Sequence, residues 1–138
     1  KAELFDIERD RPAALDVDFA PLVHSTICYG YRFVLGKRVL AYCTDTGPCP
    51  GLISLGRDSD LLICESSYLP GQKPDSWPHL RPEDAAAVAA ECGTKKLVLT
   101  HFDASRYPDA ASRREAQQYA RKIFKKTIAA RDGLMIEV

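Results

Sequence analysis

The sequence predicts an α/β layered fold in which a mixed sheet is covered by helices on one face, and three observations predict it. Short β-prone runs alternate with two segments of helical period. Three apolar runs end in residues that can hold a metal: residues 19–23 before His24, residues 39–44 before Asp45, and residues 97–100 before His101. The 138 residues, 46% hydrophobic and 28% charged, fit a single unit spanning 1–138.

Each element has its own signal. Leu15, Val17 and Phe19 alternate with Asp16 and Asp18, the period of a half-buried strand. Residues 30–35 and 37–43 are β-prone and meet at Gly36-Lys37, which predicts a hairpin with a tight turn. The turn formers of residues 46–51 lead into residues 52–56, enough for one or two helical turns. Residues 61–64 form a short buried strand. Residues 66–81 hold three prolines, Gly71 and Trp77 with neither period, which predicts an ordered surface loop of the kind that often frames active sites.

Pro82 suits the first position of a helix, and Glu83 and Asp84 suit the positive end of its dipole. Ala85, Val88, Ala89 and Cys92 share one face, and Gly93 is the stop. Arg81 falls at the N-cap without an acceptor to offer, so another side chain is expected to serve there. Residues 95–100 form a second short buried strand. A helix over 111–126 follows, with Ala116, Tyr119, Ala120, Ile123 and Phe124 inward, and residues 134–138 close as a strand.

Nineteen basic and nineteen acidic side chains give a formal net charge of zero, which argues against a nucleic-acid binder held mainly by counterion release. The basic clusters at Arg113-Arg114 and residues 121–126 read as the solvated face of a helix. No run approaches the roughly 20 apolar residues of a membrane span, and the expectation is a cytoplasmic protein with no membrane partner. Cys28, Cys43, Cys49, Cys64 and Cys92 are odd in number and lack a Cys-x-x-Cys pair, which reads as buried free thiols in a reducing compartment. A zinc-thiolate site from Cys43 and Cys49 is the alternative, against the short ligand loops that structural zinc uses.

Only three histidines occur, two at strand ends and the third, His79, in the loop before a helix. Imidazole nitrogen with carboxylate oxygen suits Zn²⁺, Mn²⁺ or Fe²⁺. Asp45 has two oxygens and is the natural bridge between two ions; a pair about 3.5–4 Å apart generates hydroxide at neutral pH and stabilises charge on a phosphoryl or carbonyl oxygen. Three ligands cannot hold two metals alone. Taken one at a time, each residue reads better as structural: Asp45 capping the turn before Pro48, His24 and His101 hydrogen-bonded at strand ends, and His79 an exposed loop residue stacking near Trp77.

Taken together, the ordered strings His24-Ser25-Thr26-x-Cys28-x-Gly30-Tyr31-Arg32-Phe33, Tyr42-Cys43-Thr44-Asp45-Thr46, Leu61-Leu62-Ile63-Cys64-Glu65-Ser66-Ser67, His79 and Leu97-Val98-Leu99-Thr100-His101-Phe102 resemble the metallo-β-lactamase superfamily. Within it the likeness is to the ribonuclease Z-like phosphodiesterases. The resemblance implies the second half of an αββα fold and two divalent metal ions, zinc first, with manganese or iron compatible. It makes His24, Asp45 and His101 metal ligands, with Asp45 bridging. It makes His79 the acid that protonates the leaving oxygen and Glu65 the partner that orients it, a sound pairing for general acid catalysis. Thr46, Ser105 and Arg106 become substrate-binding residues.

The family's His-x-His-x-Asp-His box, which provides most of the ligands, is absent from this sequence, which therefore looks like the C-terminal half alone, with one sheet face bare. Because the first residue is Lys1 rather than methionine, the expectation is an N-terminal half that exists in the molecule. Pairing with another chain, a homodimer included, is the alternative. The short connection between His24 and Asp45 leaves no room for the substrate-gripping arm of dedicated tRNA-processing members, and Cys64 stands where those enzymes usually have histidine. The expected function is metal-dependent hydrolysis of a phosphodiester in RNA or a nucleotide. Thioester or lactone hydrolysis, and a non-catalytic binding or assembly module, are the competing readings.

Overall fold

A computed structural model of the chain describes residues 16–73 and 76–138; Leu15, which begins the first alternating run, lies outside the described residues. Strands β1 (Val17–Pro21), β2 (Tyr29–Leu35), β3 (Arg38–Cys43), β4 (Leu61–Glu65), β5 (Leu97–Thr100) and β6 (Thr127–Ala129) form one mixed sheet in sequence order. The first three are antiparallel, with Phe19 opposite Tyr31 and Tyr31 opposite Tyr42. The last four are parallel. Helices α1 (Pro50–Gly56), α2 (Pro82–Cys92) and α3 (Ala110–Arg121) each fill one crossover between parallel strands. Because the strand order advances in one direction, right-handed crossovers carry all three helices to the same face.

On that face Ala41, Cys43, Leu62, Cys64, Leu97 and Leu99 pack with Leu52 and Leu55 of α1 and Ala85, Ala89 and Cys92 of α2, all buried. Each fully buried leucine contributes about 1.5–3 kcal/mol. All five cysteines are free thiols, four of them buried, and burial pushes Cys43 up to about 12. The alternate residues face the other way. There Phe19, Tyr31, Phe33 and Leu40 are half-buried and Tyr42 is 41% exposed.

The cap of α2 comes from Asp84, which accepts from the Arg81 amide at 3.0 Å and from the Arg81 guanidinium at 2.8 and 2.7 Å. Gly93 ends the helix at φ +70°, its N–H donating to the Ala89 and Ala90 carbonyls.

Two expectations are corrected. Helix α3 stops at Arg121 rather than running to Lys126, because the chain tightens there: Lys122 N–H donates to the Tyr119 carbonyl, Ile123 N–H to that of Ala120, and the Thr127 hydroxyl to that of Phe124. Ala116 and Ala120 are buried and Phe124 packs on the core, but Tyr119 and Ile123 are 40% and 49% exposed. The closing strand is Thr127–Ala129, not residues 134–138. With β6 on the edge of β5, the later apolar residues meet a turn at Gly133 (φ +71°) and remain irregular, with Met135 93% exposed. No helix among the described residues is long and apolar enough to cross a membrane.

Candidate active site

Two antiparallel pairings separate β1 from β3, so β1 runs in the same direction as β3, β4 and β5, and their C-terminal ends share one edge. In sheets of this kind that edge is where ligands bind. His24 follows β1, Asp45 follows β3, Glu65 is the last residue of β4, and His101 follows β5. Backbone bonds draw these ends together. Gly47 N–H donates to the Val23 carbonyl at 2.8 Å, joining the loops after β3 and β1. Ser66 N–H reaches the Thr100 carbonyl and the Ser67 hydroxyl reaches that of His101, each at 2.9 Å, joining β4 to β5. A Cβ at Gly47 would sit 3.1 Å from the Pro78 Cβ, so the glycine allows the long loop to bring His79 over the edge.

The structure brings all three histidines into one cleft. The His79 ring centroid lies 5.3 Å from that of His24 and 5.9 Å from that of His101. His101 Nε2 and Asp45 Oδ1 stand 2.5 Å apart. That pair is close but not aligned as a hydrogen bond, because Asp45 Oδ1 is buried with no hydrogen-bond partner. Both atoms are electron-pair donors, and the imidazole-carboxylate set is one that zinc, manganese or iron accepts, although 2.5 Å is closer than two ligands of one ion stand. Asp45 (φ 56°) and His101 (φ 53°) both take left-handed backbone. For residues other than glycine this costs about 1–3 kcal/mol and clusters at functional sites. Among the described residues no three His, Cys, Asp or Glu side chains stand in metal-coordinating geometry. His24, Asp45 and His101 thus share a cleft without meeting at one point.

Glu65 is fully buried beneath the cleft. It accepts from His79 Nδ1 at 2.8 and 3.0 Å, from Thr46 N–H at 2.5 Å and from Leu80 N–H at 3.1 Å. Charge-assisted bonds to two amides fix the carboxylate, and the carboxylate fixes the ring. The Trp77 ring lies parallel to that of His79, with centroids 6.5 Å apart. His79 thus lies parallel to Trp77 and pairs with Glu65, but at 15% side-chain exposure it is not the exposed loop residue of the structural reading.

The three substrate-binding candidates fare differently. Thr46 is buried, with its hydroxyl on the Gly47 carbonyl, and what it gives the site is its amide. Ser105 is exposed and turned onto Asp103, to which its amide and hydroxyl donate at 2.8 and 2.6 Å. Arg106 pairs with the other Asp103 oxygen and lies 5.3 Å over the Tyr68 ring. The Ser105 hydrogen bonds foremost, with Arg106 beside them, hold the Asp103 carboxyl below the usual carboxylate range. Arg106 borders a cavity of about 330 Å³ together with Trp77, His79, His101 and Phe102. Sequence reasoning missed Asp103, Tyr68 and Ser67. The Asp103 to Arg106 spacing was a usable signal, whereas Tyr68 reaches Arg106 only through the fold.

A beta-lactamase superfamily domain model matches residues 4–102. A ribonuclease Z of Gemmatimonas aurantiaca is 36% identical over 134 residues, covering 96% of this chain and 40% of the relative. A ribonuclease Z of Protochlamydia amoebophila is 41% identical over 90 residues, covering 64% of this chain and 28% of the relative. The chain thus spans well under half the length of these curated relatives. Among solved structures, a metallo-beta-lactamase fold protein from Bacillus subtilis superposes with a TM-score of 0.80 at 23% identity, covering 97% of this chain and 54% of that one. The short form of human tRNase Z superposes with a TM-score of 0.64 at 27% identity, covering 89% of this chain and 43% of that one.

Proposed function

The chain belongs to the metallo-β-lactamase superfamily, and from that premise we propose that it forms part of a hydrolase of the ribonuclease Z type, acting on a phosphodiester in RNA or a nucleotide. The observation that carries this reading is the buried, unpartnered Asp45 Oδ1 beside His101 Nε2, in a cleft shared with His24 and with a histidine backed by a buried glutamate. Its relatives named ribonuclease Z support the substrate class. They lend nothing to thioester or lactone hydrolysis, or to a non-catalytic module.

His24, Asp45 and His101 would hold divalent ions, zinc first, with the remaining ligands supplied from outside the described residues. Such ions, when bound, supply Lewis acidity toward a phosphoryl oxygen and an activated water. The chain's own residues do the rest. With Nδ1–H donating to Glu65, the imidazolium form of His79 carries its second proton on Nε2 and would hand that one to the leaving oxygen, leaving the neutral ring on Glu65. Arg106, paired with Asp103 and held over Tyr68, borders the cavity and would offer its remaining guanidinium N–H donors to the anionic oxygens of a phosphate.

The sheet face opposite the helices supports a domain reading within the same proposal. Its half-buried aromatic residues, with Tyr42 the most open, suit a second layer. An N-terminal half-domain set there would bring the missing ligands, and a second copy of this chain is the other candidate.

The test is hydrolysis of bis(p-nitrophenyl) phosphate by the full-length protein with added zinc. Turnover is expected to fall about 10²–10⁴-fold in His79→Ala and to vanish in Asp45→Ala. Unchanged turnover in either variant overturns the assigned roles.

A further inference from the structure

A second cavity, of about 440 Å³, shares His101 and Phe102 with the first and is bounded beyond them by Arg113, Ala130, Arg131 and Asp132. Several other arginines are answered by acceptors: Arg32 by the Leu55 and Arg57 carbonyls, Arg81 by Asp84, Arg106 by Asp103, and Arg121 by the Thr127 carbonyl. Arg113 differs. It lies 5.8 Å over the Phe102 ring, and its Nε is buried with no hydrogen-bond partner. Neither Arg113 nor Arg131 has a side-chain acceptor among the described residues, and no ion pair ties either to Asp132. Arg114 lines the adjoining cavity with both of them, which extends the positive strip away from His101. The strip is local charge that the zero net charge of the whole chain conceals.

We propose that Arg113 and Arg131 form a phosphate subsite beside the reacting centre, which takes a neighbouring phosphodiester of an oligonucleotide substrate. The planar guanidinium is the side chain suited to that task, and the Phe102 face holds one of the two in position. The subsite rests on the phosphodiesterase reading and extends it from a single phosphodiester to a strand.

The test uses the full-length protein. Binding of a fluorescein-labelled single-stranded RNA octamer is measured over a range of salt, alongside hydrolysis of bis(p-nitrophenyl) phosphate, which is too small to span both cavities. In the double variant Arg113→Gln, Arg131→Gln the octamer is expected to bind about tenfold more weakly or worse, and the slope of log affinity against log salt to shrink by about 1. Small-diester hydrolysis is expected to stay unchanged. Unaltered octamer affinity and slope overturn the subsite, as does no octamer binding by the unmodified protein or a parallel loss of small-diester hydrolysis. If the unmodified protein binds the octamer through these arginines but hydrolyses no phosphodiester, the subsite stands and the nuclease reading falls. Intact hydrolysis with unaltered octamer binding keeps the reading and removes the subsite.

Discussion

Where β4 begins, Ser59 and Asp60 meet partners from β3 and from the connection before β5, whereas where β3 and β4 end, Asp45 borders a cleft and Glu65 lies buried beneath it. At the first end Ser59 Oγ and Thr94 Oγ1 lie 2.7 Å apart, and Thr94 Oγ1 also reaches the Ser59 carbonyl at 3.0 Å. Asp60 accepts from Val39 N–H and Lys95 Nζ, both at 2.8 Å. At the second end Asp45 Oδ1 has no hydrogen-bond partner; left-handed backbone does not separate the ends, since Asp58 beside Ser59 (φ 51°) shares it with Asp45 and His101. Leu62, Leu97 and Leu99 lie fully buried between the two ends, so core packing does not account for the difference. One end closes its polar groups and secures the sheet; the other satisfies Glu65 but leaves Asp45 Oδ1 without a hydrogen-bond partner, as a site that must accept a ligand does.

The largest expected effect on stability comes from opening the closed end. Thr94→Val keeps the shape of the side chain but leaves the buried Ser59 hydroxyl without its partner. The cost is expected at about 1–3 kcal/mol, read as a lower urea midpoint with zinc affinity unchanged. A midpoint equal to that of the unmodified protein would break the contrast between the two ends.

A pH titration sharpens the same contrast. The Lys95 hydrogen bond first, then the Val39 amide, hold the Asp60 carboxyl down at about 2, against about 3.9 for an unperturbed aspartate. A depressed carboxyl stabilises the fold above its unfolded value. That stability is lost as pH falls through about 4 toward 2. Urea midpoints are expected to drop over this window in the unmodified protein and less in Asp60→Asn, whose side chain keeps an acceptor for Val39 but carries no charge. Asp103 and Asp109 are also held low by local hydrogen bonds, so the readout is the difference between the two proteins. Parallel curves would remove Asp60 from the account.

The first strands and α2 were legible because their signals are local: the period of β1, the Gly36 turn, and the Pro82 and Gly93 that bound α2; the Ser59–Thr94 and Asp60–Lys95 contacts had no such signal. The strand-end positions of His24, Asp45 and His101 were legible for the same reason. The pairing of Glu65 with His79 entered only through the family resemblance, since no period links a strand end to a loop residue. Strand β6 is three residues between Lys126 and Ala130, too short for any pattern, and residues 134–138 are mostly apolar without a strand to pair with. Arg113 read as part of a solvated basic face because the Phe102 ring beneath it belongs to another element. The left-handed backbone of Asp45 and His101 has no signature in a sequence.

That backbone gives the smallest stability effect and the most discriminating test. In Asp45→Gly the left-handed conformation becomes free of strain, a relief of about 1–2 kcal/mol. The flexible unfolded chain offsets about 0.5–1 kcal/mol of it. The close approach of Asp45 Oδ1 to His101 Nε2 also disappears. The metal-free protein is therefore expected to gain about 0.5 kcal/mol or remain level, while competition with a chromophoric chelator shows zinc binding lost. The reading of Asp45 as a structural cap of the turn before Pro48 makes the opposite forecast. A capping side chain removed from its turn costs about 1 kcal/mol, and zinc affinity would hardly change. If the urea midpoint of the metal-free variant falls while its zinc affinity survives, Asp45 belongs with Asp60 as a structural carboxylate, and the open end of the sheet loses the residue on which its assignment rests.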